Sequence, residues 1–392
     1  AGVQIKTTDG SPDAEIVIRI RGGGSVTQDN SPLFIVDGFP VESIKDISPH
    51  NIASIDVLKD ASSAAIYGSR GANGVILITT KGAEGGKTKV SYNGYTQMRT
   101  LAKKLDVMDP YEFVLMQYEF ARVQAGELAY NRFISNFGVY DDLELYKGMR
   151  GTDWQEEMLG EPTFSQNHNF DIGGGNEKTR YKLSLSDVSD EGILIGNGYD
   201  RTNLNFNLKH RASDAVEVTM SARMINTNVI GAGTSGSANL RMSHILTARP
   251  VNGLMDVLDY DLNDPGYYDD YEAFISSFIN PKQLVEQDYR ERKRQTYYLN
   301  GGVDWNILEN LQYRSEFGYR YTYGDNFRYY GPLTSRSRNY GSNLPLGDIS
   351  HDKDDQFRWS NILNYNLNFQ DVHRLNMMVG QEMIQSGSSN TF

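Results

Sequence analysis

The chain has 392 residues, a formal charge of −12 and no cysteine. The acidic balance argues against nucleic acid as the main partner, because phosphate recognition needs clustered Lys and Arg. The lack of Cys removes disulfides, iron–sulfur clusters, thiolate nucleophiles and Cys-based zinc sites. No apolar run approaches the roughly 18–20 residues of a membrane helix, and mean hydropathy is −0.52. Barrel strands also score this way, because only every second residue meets lipid.

In chain order, Ile16–Ile20 reads as a strand, followed by a Gly-rich run and a polar loop, Ser25–Ser31. Leu33–Val36 is a second apolar strand. Asp37-Gly38 is a strong tight-turn dipeptide, closed by Pro40. The RGGGS segment lacks the GK[ST] ending of a phosphate loop. Ser48 and Pro49 stand as N-cap and first residue of one short turn. Ile52–Leu58 reads as a strand. Asp60 is placed to cap a helical run, Ala61–Ile66, and Gly68 falls where a left-handed C-cap residue is usual. Gly71, Asn73 and Gly74 make a turn. Val75–Thr80 is continuously β-branched or apolar, as in a strand buried on both faces.

Residues 57–62 (VLKDAS), 65–75 (AIYGSRGANGV) and 78–81 (ITTK) closely resemble the plug of SusC-like TonB-dependent outer-membrane transporters. The segment from Arg19 to Val41 resembles it as well. The resemblance implies that residues 1–81 form an α+β plug inside a barrel lumen. Its motif residues are Asp37, Gly38, Lys59, Asp60, Tyr67, Gly68, Arg70, Gly71, Asn73 and Gly74, with a structural role.

Residues 82–89 read as a Gly-rich linker, and residues 90–392 as the first part of a transmembrane β-barrel. Asp109-Pro110 opens a helical region to about Tyr146, with Tyr111, Val114, Leu115 and Tyr118 at helical spacing. From residue 163 the period becomes two. Leu204, Phe206 and Leu208 alternate with Asn203, Asn205 and Asn207; Val218, Met220 and Ala222 alternate with Thr219, Ser221 and Arg223. The apolar parity is expected to face lipid, so that Phe206→Arg harms assembly more than Asn205→Arg. About nine strands are expected, near 90–101, 163–173, 178–189, 199–210, 215–228, 294–306, 311–324, 355–369 and 372–385. The fold class is thus a partial antiparallel transmembrane barrel, about nine strands of the roughly 22 of plugged transporters, with the remainder expected after Phe392. Long connections at about 229–293 and 325–354 are expected on the extracellular side. A soluble β-sandwich is the competing fold.

The six histidines are scattered, and no HExxH or GxSxG motif occurs. No enzymatic activity is expected, and no cofactor. Asp261, Asp264, Asp269 and Asp270 offer oxygen ligands for calcium, but without EF-hand spacing. A solvated acidic loop is favoured there.

The resemblance implies localisation in the bacterial outer membrane and import of an oligomeric nutrient, oligosaccharide first and peptide as the alternative. It implies as partners a SusD-like surface lipoprotein, the TonB complex and outer-membrane lipid. A passive binding barrel and a signal transducer are the rivals. Candidate substrate contacts are Gln28, Asp29 and Asn30 at the plug apex, and Tyr267, Tyr268 and Tyr271 in a long loop.

Overall fold

The structure is a computed structural model, and it describes residues 2–7, 14, 16–20, 22, 30–41, 43–44, 47–60, 65–82, 85–123, 127–231, 244–254, 280–332, 334–342, 344–369 and 373–392. Six short strands come first: β1 (Val3–Thr7), β2 (Ile16–Ile20), β3 (Leu33–Val36), β4 (Phe39–Val41), β5 (Ile52–Leu58) and β6 (Val75–Thr80). β1 and β2 pair with each other, and the rest form a four-stranded sheet in the order β4-β3-β6-β5. β3 and β6 run parallel; β4 and β5 pair antiparallel to them.

The apolar character of β6 follows from its central place. Ile76 and Ile78 pack with Phe34, Val36, Phe39 and Ile20. Val75 packs on the other face with Ile35, Leu58 and Tyr67. Both parities are therefore covered, which is why no alternation shows in the sequence. Asp37 and Gly38 have φ of 50° and 85°. Positive φ at both central residues makes a type I′ hairpin turn, which suits Asp-Gly.

The helix expected at Ala61–Ile66 needs correction. Residues 61–64 lie outside the described residues, and Ala65–Gly71 forms a 3₁₀ segment broken at Gly68, with φ 56° and ψ −144°. Gly68 is thus a mid-segment kink and not a left-handed helix cap. The kink accompanies the docking of Tyr67 in the cluster of Ile35 and Val75.

Nine long strands complete the chain: β7 (Gly86–Arg99), β8 (Thr163–Gly175), β9 (Thr179–Glu191), β10 (Gly198–Arg211), β11 (Val216–Ile230), β12 (Asp288–Leu308), β13 (Leu311–Tyr330), β14 (Leu346–Phe369) and β15 (His373–Thr391). They form one nine-stranded sheet in sequence order, antiparallel throughout. The connections at 176–178, 212–215 and 309–310 are short and share one edge. Those at 100–162, 231–287 and 331–345 are long and share the other. The strands run beyond their expected ends: β13 continues to Tyr330 and β14 begins at Leu346, inside the stretch expected to be a connection at 325–354. Likewise β12 starts at Asp288, within the connection expected at 229–293.

Between β7 and β8 lies a helical insertion. It holds α1 (Pro110–Val123), α2 (Glu127–Phe137), a 3₁₀ turn (Tyr140–Gly148) and α3 (Trp154–Leu159). Asp109 and Glu112 exchange side-chain-to-backbone hydrogen bonds at the start of α1, at 2.8 and 3.2 Å. That reciprocal cap, with Pro110 first in the helix, explains why the helix begins there. Val114, Phe113, Phe133, Phe137 and Tyr146 make a separate core. Burial pushes the Tyr146 phenol up to about 12, while its hydroxyl donates to the Phe137 carbonyl at 3.1 Å. At α3, the Lys104 ammonium holds the capping carboxyl of Asp153 below its usual range.

The wall has two unlike faces. Leu183, Leu185, Leu204, Met220, Met224, Leu299, Trp305, Phe317, Trp359 and Met383 are all more than a third exposed. Their neighbours of the other parity, Ser184, Ser186, Asn203, Asn205 and Ser360, are buried. A soluble sandwich buries its apolar parity. Here the apolar parity makes a continuous exposed belt on successive strands, and the four-stranded sheet with its turns sits against the polar face. An aqueous protein does not expose such a belt; a barrel in lipid does.

Candidate functional site at the seam between plug and wall

The plug touches the inner wall mainly through hydrogen bonds and ion pairs. The first contact is the Asp37-Gly38 turn. Asp37 accepts from the Thr80 backbone N–H and hydroxyl, both at 2.8 Å, which ties the turn to β6. Its Oδ2 also accepts from Arg223 Nη2 on β11 at 3.0 Å. Arg223 lies over the Tyr298 ring, 5.9 Å from its centroid. Phe39 meets the same ring edge-on at 6.0 Å. The Gly38 carbonyl accepts from Arg358 Nη1 on β14. Gly318 is required by closeness: a Cβ there would lie 2.4 Å from the Phe39 ring.

The second contact centres on Glu382 of β15. It accepts from Arg70 of the plug at 2.7 Å and from Arg358 at 2.8 Å. Tyr67 lies nearby; burial pushes its phenol up, with Arg358 pulling it down and Glu316 adding a smaller upward push. The third contact is near the short-turn edge. His50 Nε2 lies 2.7 Å from Asp171 Oδ2 on β8. Asp171 also accepts from Ser184 at 2.6 Å, with the Lys182 ammonium 3.7 Å away. Ser48 donates to Asn169 at 3.4 Å.

Between these contacts the seam is open. A cavity of about 270 Å³ is lined by Asp37, Thr80, Asn207, Ser221, Asn300 and Glu316, among others. A second, of about 490 Å³, lies beside His50, Lys87, Lys89 and Lys182. Ser186 Oγ, Asn205 Oδ1, Asn207 Nδ2 and Ser360 Oγ are buried with no protein partner. Isolated buried polar atoms are costly, so a seam built this way takes up water.

Of the expected substrate contacts, only Asn30 is among the described residues, half-buried just before β3. Gln28, Asp29, Tyr267, Tyr268 and Tyr271 lie outside them, as does the acidic run Asp261–Asp270. Among the plug motif residues, Asp37, Gly38 and Arg70 reach the wall. Asn73 donates to the Ser31 carbonyl at 3.4 Å. Gly71 and Gly74 are buried; a Cβ on Gly74 would lie 2.8 Å from Ile20 Cδ1. Lys59 and Asp60 are exposed. The wall side of the seam, Arg223, Glu382, Asp171 and Gly318, carries no local motif. The only signal open to the sequence was that Arg223 shares the inward parity of Thr219 and Ser221.

The family model described as TonB-dependent Receptor Plug Domain matches residues 1–75. TonB-dependent receptor P26 of Formosa agariphila is 30% identical over 81% of this chain and 30% of its own length. TonB-dependent receptor SusC of Bacteroides thetaiotaomicron is 29% identical over 97% of this chain and 38% of its own length. The chain therefore spans between a quarter and two-fifths of the curated relatives it matches. Among solved structures, the RagAB peptide transporter superposes over 100% of this chain and 46% of that chain, with a TM-score of 0.75 at 21% identity. The relatives are receptors and not enzymes. The plug match, the polar-in and apolar-out wall and these relatives lead to one assignment: the chain belongs to the SusC-like TonB-dependent receptors, β-barrel proteins of the outer membrane.

Proposed function

We propose that the complete protein imports an oligomeric nutrient across the outer membrane, energised by TonB and acting with a SusD-like surface lipoprotein. The observation that carries this reading is the seam. Plug and wall are joined by separate ionic contacts around cavities roomy enough for several waters, and not by a continuous apolar core. Apolar burial is lost only by exposing its whole area to water. Part-exposed ion pairs re-solvate at modest cost, so a pull on the plug can undo this seam. In this reading residues 1–81 move as the plug and 82–89 are the linker, whose last residues, from Gly86, already form the start of β7 in the wall. The long edge faces outward, so the 231–287 and 331–345 connections meet the lipoprotein. Gln28, Asp29, Asn30, Tyr267, Tyr268 and Tyr271 are the proposed substrate contacts, and no cofactor takes part.

Oligosaccharide is the first substrate class, since tyrosine faces stack on sugar rings and amides bond hydroxyls. Peptide is the second reading, favoured by the fold shared with the RagAB proteins, which are peptide importers. Uptake of fluorescent oligosaccharides and of a peptide mixture by intact cells, with and without TonB, tests the proposal. One of the two pools should accumulate, and only when TonB is present. Equal accumulation without TonB would make the protein a passive barrel.

A further inference from the structure

The outward face of β12, β13 and β14 carries apolar side chains at two heights. The lower set belongs to the lipid belt, with Leu299, Tyr319 and Phe357 aligned across the three strands. Toward the long edge the outward positions then turn polar. Lys293, Asp325 and His351 are aligned there, with Glu291 next on β12. Beyond that row they turn apolar again: Tyr289 on β12, Phe327 and Tyr329 on β13, and Ile349 on β14, all more than a third exposed. Tyr289 is aligned with Tyr329, and Phe327 with Ile349. The rings of Tyr289 and Phe327 stand 6.0 Å apart. The four side chains make one patch on three adjacent strands, and grouped exposed apolar side chains mark a contact.

Height and chemistry choose the occupant. Tyr289 lies eight residues beyond Tyr297, at the upper end of the belt on β12. At about 3.4 Å per residue and a strand tilt of about 40°, the patch stands roughly 20 Å above the belt. Headgroups occupy only about 5–8 Å beyond the hydrocarbon, so phospholipid does not reach it. The patch also faces away from the lumen, so a solute in the barrel mouth does not reach it either. It continues the lipid-facing surface upward, where the sugar chains of outer-leaflet glycolipids stand in water. Aromatic faces take the C–H faces of sugar rings, and carboxylates keep lone pairs for hydroxyls. The charges beside the patch are already matched in sign: Lys293 lies 3.0 Å from Glu291 and His351 2.6 Å from Asp325. That mixed row suits neutral sugar better than phosphate.

We infer that Tyr289, Phe327, Tyr329 and Ile349 hold the core saccharide of an outer-leaflet glycolipid against the outside of the wall. From the proposed function the inference takes only that the long edge faces outward. The full-length receptor, purified in detergent, is titrated with two glycolipids. One is a lipopolysaccharide with a complete core; the other is a deep-rough form cut back to the lipid anchor and innermost sugars. The complete form should bind on the order of tenfold more tightly. Phe327→Thr with Tyr329→Thr should remove most of that gap. Thr keeps strand propensity and both positions are exposed, so folding is spared. Tyr140→Ser, at an exposed aromatic of the helical insertion on the same edge, should leave the gap intact. Equal binding of the two glycolipids, binding of neither, or equal effects of the double variant and Tyr140→Ser would overturn the inference. So would a double variant that keeps the gap but changes the oligomeric state, which would make the patch an interface between copies. Sidedness is read separately, by labelling Tyr140→Cys on whole cells with an impermeant maleimide against the parent receptor. Labelling only after the outer membrane is opened would refute the outward edge and leave the binding result standing.

Discussion

Phe206→Arg is expected to remove most of the receptor from the outer membrane, while Asn207→Arg assembles. Phe206 pairs with Ala222 and Leu183 on the apolar face of the wall. An Arg near the bilayer midplane costs roughly 2–4 kcal/mol in a barrel, and the ring's own burial in lipid is lost as well. Asn207 points the other way, toward the cavity lined by Ser221 and Asn300, where a guanidinium keeps water. Asn207 replaces Asn205 as the comparison because of packing. Asn205 is 3% exposed, so an Arg there collides with its neighbours whichever solvent lies beyond. Outer-membrane fractions blotted for each variant check the prediction. Equal loss, or equal assembly, would contradict the two-faced wall.

The second large effect concerns the turn. Asp37→Ala removes the acceptor for Thr80 N–H, Thr80 Oγ1 and Arg223 together. It also replaces a residue suited to a φ of 50° by one that resists it. Breaking a fully buried pair from one side costs about 3–5 kcal/mol. The cost here is smaller, because the two side chains keep 12% and 20% exposure. The plug should remain folded around Ile76 and Ile78 but sit loosely on the wall. Cells carrying Asp37→Ala should become sensitive to large hydrophilic antibiotics that intact outer membranes exclude. Asp37→Asn keeps an acceptor and tolerates the turn, so it should restore most of the barrier. Undiminished resistance in Asp37→Ala would show that the turn does not hold the plug.

The strands of the wall were legible because lipid and lumen impose opposite demands on alternate residues. The signal fails at their outer ends for a physical reason. In Asp325–Tyr330 and Leu346–Asp355 both faces meet water, so Asp325, Asn326, Asp352 and Lys353 no longer alternate with an apolar set. The ladder continues there on backbone hydrogen bonds and polar side-chain pairs, such as Asn326 with Ser350 and Asp352, and His351 with Asp325. In the plug, the Asp-Gly turn and the buried β6 were open to reading, since each follows from local chemistry. The kink at Gly68 was not, because it goes with the docking of Tyr67 on Ile35, which comes from a strand much earlier in the chain.

The seam was the least legible part. Its partners are separated by 186 residues for Asp37 and Arg223, 121 for His50 and Asp171, and 312 for Arg70 and Glu382. An arginine on an inward parity shows only that its surroundings are polar. Which carboxylate it meets depends on where the plug docks, and docking is a property of the assembled lumen.

The central claim is that the plug must leave these wall contacts for the receptor to work. Because the chain has no native cysteine, Arg70→Cys and Glu382→Cys can be bridged by a short, reducible bis-maleimide. Both side chains are accessible, at 41% and 34% exposure. TonB-dependent uptake by intact cells is then measured before bridging, after bridging, and after reduction of the bridge. The expected result is uptake that stops when the bridge forms and returns when it is cut, with the unbridged double variant active throughout. Full uptake through a quantitatively bridged receptor would contradict the account.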